Sequence, residues 1–185
     1  MLLALVTLVP AVLVGYLRGG RLRRLTEVRL AGLPVIGVAV AAQAALGLLS
    51  LVDGPVETVG RGLLVASLAA VLAFVWINRR LPGMWLVAIG FLLNAAVILP
   101  NGAMPVSPEA IAALGGDGAI DEGKHRLLTD GDVLPWLADV IPVPGLRIIV
   151  SIGDILLALG VAVLVARLMR GLPRHARSAR EHRLA

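Results

Sequence analysis

Long apolar runs alternate with short polar ones along most of this chain. The first run is Met1 to Leu17, MLLALVTLVPAVLVGYL, and the second is Leu33 to Val52, LPVIGVAVAAQAALGLLSLV. The third spans about 62–77, the fourth Met84 to Leu99, and the fifth Leu146 to Leu168. A helix that crosses a membrane needs about 20 mostly apolar residues, range roughly 17–25. The third and fourth runs hold 16 residues each and gain a turn from flanking residues such as Asn78 or Pro82. The first run has no basic leader, and no small-residue cleavage site precedes the arginines after it. It is therefore expected to be a retained helix, not a signal peptide. The pattern predicts an all-α integral membrane protein, a bundle of five transmembrane helices.

Charge sharpens this into a topology. The loop 18–32 carries Arg18, Arg21, Arg23, Arg24 and Arg29; the turn after the third run carries Arg79 and Arg80; six more arginines lie between Arg167 and Arg183. These 13 basic residues fall on one side, against Arg61, Lys124, Arg126 and Arg147 on the other. The second side also holds nine acids: Asp53, Glu57, Glu109, Asp117, Asp121, Glu122, Asp130, Asp132 and Asp139. Basic loops stay in the cytoplasm. Five spans then put the N-terminus outside and the basic tail, 169–185, inside. A nucleic-acid partner is not expected, because the arginines flank apolar runs instead of forming one basic face.

Composition agrees. Among 185 residues, 58% are hydrophobic and 16% charged, and the mean hydropathy is +0.92. A soluble domain carries about 25% charged residues, so a soluble enzyme and a disordered chain are both excluded. There is no cysteine, and of three histidines, His125, His175 and His182, two lie in the tail. Thiol chemistry is absent, no metal-ligand spacing occurs, and no cofactor is expected.

Residues 100–145 make one outer loop. Ser107 before Pro108 and Glu109 reads as a helix start: the serine caps free N–H groups, proline suits the first turn, and the acid favours the dipole. A short helix from Pro108 to Leu114 should stop at Gly115–Gly116. Further on, Asp132 is placed to cap a second short helix. Val133, Trp136, Leu137 and Val140 would share its apolar face, so that it lies at the membrane surface. A re-entrant segment is the alternative, and Pro135, Pro142 and Pro144 argue against a full span.

Polar residues inside the apolar runs are the candidate functional positions. Asp154 lies eight residues after Leu146, about 12 Å into the fifth helix. A charge at that depth is costly and marks a functional or pairing site. Ser151 shares its face. Asn94 and Gln43, about 8 and 14 Å below the outer boundary, would join Asp154 in one polar cluster beneath the loop that begins at Asn101. The plainer reading is that Asn, Gln and Ser only bond helices together. Small-residue rows (Gly37, Ala41, Ala45; Ala66, Ala70; Ala158, Ala162, Ala166) read as packing faces.

Three segments carry a family resemblance: GGRLRRL near the start, PNGAMPVSPEAI after the fourth run, and SIGDILLALG opening the last. They resemble an uncharacterised bacterial membrane family, domain of unknown function 5317. The resemblance implies a small multi-helix protein of a bacterial cytoplasmic membrane with no assigned activity. It adds Asn101, Gly102, Met104, Pro105, Ser107, Gly153 and Asp154 as residues to inspect, and no catalytic residue.

The expected function is binding or movement of a small or lipid-like solute between the outer loop and Asp154. An accessory subunit of a membrane complex is one alternative. An enzyme acting on a lipid-linked substrate is another, with Asp154 and His125 its only plausible couple. Membrane lipids are the expected partners, with a second copy or another membrane protein beside them.

Overall fold

The computed structural model describes residues 2–26, 30–49, 57–116 and 125–171. Arg29, Asp53, Asp117, Asp121, Glu122 and Lys124, and the basic tail with His175 and His182, lie outside them, as does the end of the second apolar run. The chain is mostly helical. Five helices match the apolar runs: α1 Leu2–Leu17, α2 Leu33–Leu49, α3 Glu57–Ile77, α4 Met84–Asn101 and, after a short α5 at Pro108–Ala113, α6 Ile152–Arg170. Three of these are long and apolar enough to cross a membrane: Val59–Ile77, Met84–Asn101 and Ile152–Arg170. Thr7–Leu17 and Leu33–Leu46 are apolar but shorter. The three long helices suggest a membrane protein.

Helix α6 packs between α1 and α4, while α2 packs on α3. The α4–α6 crossing is antiparallel and rests on glycine. Gly83 and Gly90 meet Gly160 and Gly153, each pair seven residues apart in its own segment. A Cβ on Gly90 would sit 2.5 Å from the Gly153 carbonyl oxygen, and one on Gly160 would sit 2.7 Å from the Val87 nitrogen. Spacing by seven keeps one seam facing the partner helix, and the missing side chains let the backbones touch. The alanine rows noted in the sequence are not the tightest seam. Ala166 is buried, but Gly37 and Ala41 on α2 lie exposed.

All the described arginine clusters gather at one end. There the backbone N–H of Arg21 donates to the Met169 carbonyl at 2.8 Å, and Met169 is wholly buried against Gly15 and Gly20. A 3-10 turn, Leu22–Leu25, follows α1, and its Arg24 guanidinium donates to the Arg170 carbonyl at the C-terminus of α6. A cation there meets the negative end of the helix dipole. Asn78 ties the α3 terminus to the start of α2, with its Nδ2 2.8 Å from the Ala31 carbonyl oxygen. Leu81, Met84 and Leu168 form the core of this end.

The other end is closed by residues 102–116 and 125–151. Strand β1, Met104–Val106, pairs in parallel with β2, His125–Leu127, in the register Met104↔His125. On the other edge of β1, the Ser107 N–H donates to the Asp139 carbonyl at 2.9 Å and the Asp139 N–H to the Pro105 carbonyl at 3.0 Å. Strands β3, Ile141–Val143, and β4, Ile148–Val150, form an antiparallel hairpin. Val97 of α4 supports this cap, buried with Met104 and Ala138.

Two expectations are corrected here. The last helix starts at Ile152, not Leu146, because 148–150 pair as β4. The stretch after Asp132 is not an α-helix: only Pro135–Leu137 form a 3-10 turn. Proline at 135 disfavours helical backbone at the residue before it, and Leu134 sits in the left-handed region at φ 57°. The supposed single face is split, with Leu137 and Val140 against the cap core and Val133 and Trp136 exposed. Asp132 caps nothing helical. Its carboxylate accepts from both terminal nitrogens of Arg126 and from the Thr129 N–H, and the arginine holds it below the usual carboxylate range.

Candidate functional site

The site lies where the cap meets α4 and α6. Serine at 151 is extended backbone immediately before α6, and its Oγ accepts the Asp154 N–H at 3.0 Å. Asp154 Oδ2 accepts the Ser151 N–H at 3.2 Å in return. This reciprocal pair is a capping box, with aspartate in the place usually held by glutamate. Asn94 of α4 completes a ring: its Nδ2 donates to Asp154 Oδ1 at 2.8 Å, and its Oδ1 accepts from Ser151 Oγ at 3.0 Å. Ser151 is 0% exposed. A Cβ on Gly153 would run into the Asn94 amide, so glycine there lets the ring close. Asp154 thus stands in the first turn of α6, not two turns inside it.

Of the sequence candidates, Asp154, Asn94 and Ser151 are brought together. Gln43 is not among them. Its Nε2 donates to Ser67 Oγ at 2.7 Å across the α2–α3 seam. Asn101 staples the cap: its Nδ2 donates to the Val97 and Val133 carbonyls at 2.8 and 2.9 Å, and its Oδ1 accepts the Val133 N–H at 3.0 Å. Ser107 caps α5 as expected, accepting the Ala110 N–H at 3.1 Å and donating to Glu109 at 2.6 Å. That bond lowers the Glu109 pKa.

Sequence reasoning passed over Asp139, counting it only as one of the outer acids. Its backbone is strung along β1, and its side chain is sealed in, with the residue 4% exposed. His125, on the strand at the other edge of β1, places Nε2 3.6 Å from Asp139 Oδ2. That is an ion-pair distance when the imidazole is protonated and too long for a hydrogen bond. Among the described residues Oδ1 has no hydrogen-bond partner. Burial, and then the nearby Asp154 charge, raise the Asp139 pKa to about 7. His125 therefore couples to Asp139, where the sequence suggested Asp154. The signal for Asp139 was nonlocal, since nothing adjacent to it shows that β1 would bury it.

The sequence profile of the Family of unknown function (DUF5317) matches residues 27–166, well over half of the chain. The chain belongs to this family. The DUF5317 segment contains the whole Asn94–Ser151–Asp154 ring, His125 and Asp139, and leaves α1 outside. A Thermotoga maritima relative named "Uncharacterized protein" is 38% identical over 96 residues, 50% of this chain and 55% of the relative. The chain thus spans about half the length of the curated relative it matches. No solved structure matches it.

Proposed function

We propose that this DUF5317 protein is a five-span protein of a bacterial cytoplasmic membrane, N-terminus outside, that binds a small solute at Asp139. The solute carries an N–H donor or a positive charge. The gathering of the arginine clusters at one end supports that orientation. So do the large apolar side chains left exposed on the helices, among them Leu13, Val40, Leu48 and Leu159, which water disfavours and lipid accommodates.

One observation carries the binding reading: the buried Asp139 Oδ1, which has no hydrogen-bond partner among the described residues. Buried polar groups are almost always paired, and each exception calls for an explanation such as an absent ligand. A donor on a solute would complete it, with half-buried His125 on the approach.

The test is native mass spectrometry of the gently extracted protein. A small adduct should be present in the wild type and in Asp154→Asn and lost in Asp139→Asn. Equal adducts in all three would overturn the reading. A stable partner protein without an adduct would instead favour an accessory subunit. One feature supports that second reading: a Cβ on Gly37 of α2 would meet nothing within 4 Å, so this small-residue face is unfilled.

A further inference from the structure

At the arginine-rich end, α3 and α4 are joined by the tight turn 78–83, yet their bodies diverge. α4 is drawn to α6 by glycine contact, and α3 is drawn to α2. The wedge between them is a groove of about 380 Å³. Ligand sites run about 300–1,000 Å³. Leu72, Val75, Ala88 and Leu92 help to form its apolar walls. Along the helices it covers about 10–12 Å, most of one leaflet's half of a hydrocarbon core about 30 Å thick.

The mouth is built differently. Trp76 and Trp85 meet edge to face, with ring centroids 6.4 Å apart. The Arg79 guanidinium lies 4.3 Å above the Trp76 ring, and its Nη1 donates to the Trp76 carbonyl at 2.9 Å. Arginine has five N–H donors, so most remain for another acceptor. Among the described residues no carboxylate pairs with Arg79. Tryptophan sits at headgroup level, which places this cation at the depth of a phosphate.

We propose that this groove holds an acyl chain of an anionic phospholipid from the leaflet at the arginine-rich end, with the lipid phosphate on Arg79. The proposal rests on the membrane reading above. A partner helix is the poorer occupant. At about 10 Å across with its side chains, it overfills a groove closed at one end by a turn, and it leaves the arginine without an anion. A free phosphate makes no use of the apolar walls.

The test uses the full chain with Trp136→Phe, so that only Trp76 and Trp85 fluoresce. It is reconstituted in phosphatidylcholine vesicles doped with brominated phosphatidylglycerol or brominated phosphatidylcholine, whose bromines quench tryptophan. Half-quenching should need about fivefold less of the anionic lipid, the factor expected for one arginine near an anionic surface. Arg79→Gln should make the two curves coincide, whereas Arg80→Gln on the same turn should keep the preference. Ala73→Leu, which fills the groove and spares the arginine, should weaken quenching by the anionic lipid. Equal curves in the wild type would overturn the proposal, and so would equal losses in Arg79→Gln and Arg80→Gln. Loss of the preference on adding inorganic phosphate would assign the site to the headgroup alone and overturn the acyl-chain part. Flotation of the same samples separates the two readings. A chain that fails to float with the vesicles breaks the membrane reading itself, while one that floats without preference breaks only this proposal.

Discussion

Asp154 and Asp139 both lie at the junction of the cap and the helices, near enough for the charge of one to act on the other, and they are held in opposite ways. Both Asp154 oxygens accept, one from Asn94 and one from the Ser151 backbone. Asp139 has one oxygen 3.6 Å from a histidine and the other unpaired among the described residues. The first carboxyl is satisfied by residues within its own helical turn and by one neighbour on α4. The second is buried by strand pairing that brings no donor with it. A fully satisfied buried network rigidifies a structure, whereas a half-satisfied one stores a cost that a ligand or proton relieves. The acid whose position in the helical run drew attention is therefore the one whose oxygens are both bonded, and the inconspicuous acid is the one with an oxygen left open among the described residues.

The largest effect should come from the glycine that lets the ring close. Gly153→Val drives a side chain into the Asn94 amide and the Gly90 carbonyl. Overpacking of this kind costs about 3 kcal/mol or more when the obstacle is backbone. Thermal unfolding in detergent should show a large loss, while Gly37→Val, in open space, should stay within about 0.5 kcal/mol of wild type. Equal effects would mean that α4 and α6 do not depend on this crossing. A smaller loss is expected for Asp154→Asn. An amide cannot accept on both sides, so it must turn an N–H toward either the Ser151 or the Asn94 donor. Leaving one such donor unmet costs about 1–3 kcal/mol. A neutral result would show that the ring holds less than its geometry suggests.

Much of the scaffold was legible in the sequence, for a physical reason. Apolar runs and arginine positions are local signals, and they gave the five helices and the shared arginine-rich end. Ser107 was legible too, because a cap is written in consecutive residues. The start of α6 was not. Arg147, Ile148, Ile149 and Val150 read as helix by hydropathy, but Ile141–Val143 offers them a strand partner, and that choice is tertiary. The error moved Asp154 from the helix cap to an apparent depth of about two turns. Gln43 failed for another reason. Depth along a helix says nothing about which neighbour a face meets, and its face meets Ser67 on α3. Asp139 was missed because its burial depends on β1, more than thirty residues earlier.

The remaining comparison is of sign with pH. The Asp139 carboxyl is raised from 3.8 to about 7 in the folded protein. As pH rises from about 4 to 7, the unfolded chain releases this proton first and the folded chain retains it. The folded state then holds more protons, so stability falls with rising pH across that window. Asp132 and Glu109, lowered by Arg126 and Ser107 respectively, act in the opposite sense. Their contribution is present above pH 4 and is lost as acid protonates them. Asp139→Asn should therefore gain on wild type as pH rises from 5 to 8. At 1.36 kcal/mol per unit the whole shift sets an upper limit of about 4 kcal/mol, of which at most about 3 kcal/mol falls between pH 5 and pH 7, so the advantage of the variant should grow by about 1–3 kcal/mol from pH 5 to pH 8. The measurement is thermal unfolding of both proteins at pH 5 and pH 8. If the variant is instead less stable at pH 8, the carboxylate already has a partner, and the basis for a solute there disappears. If the gain emerges only after exhaustive delipidation and dialysis, a bound molecule had been completing Oδ1 all along.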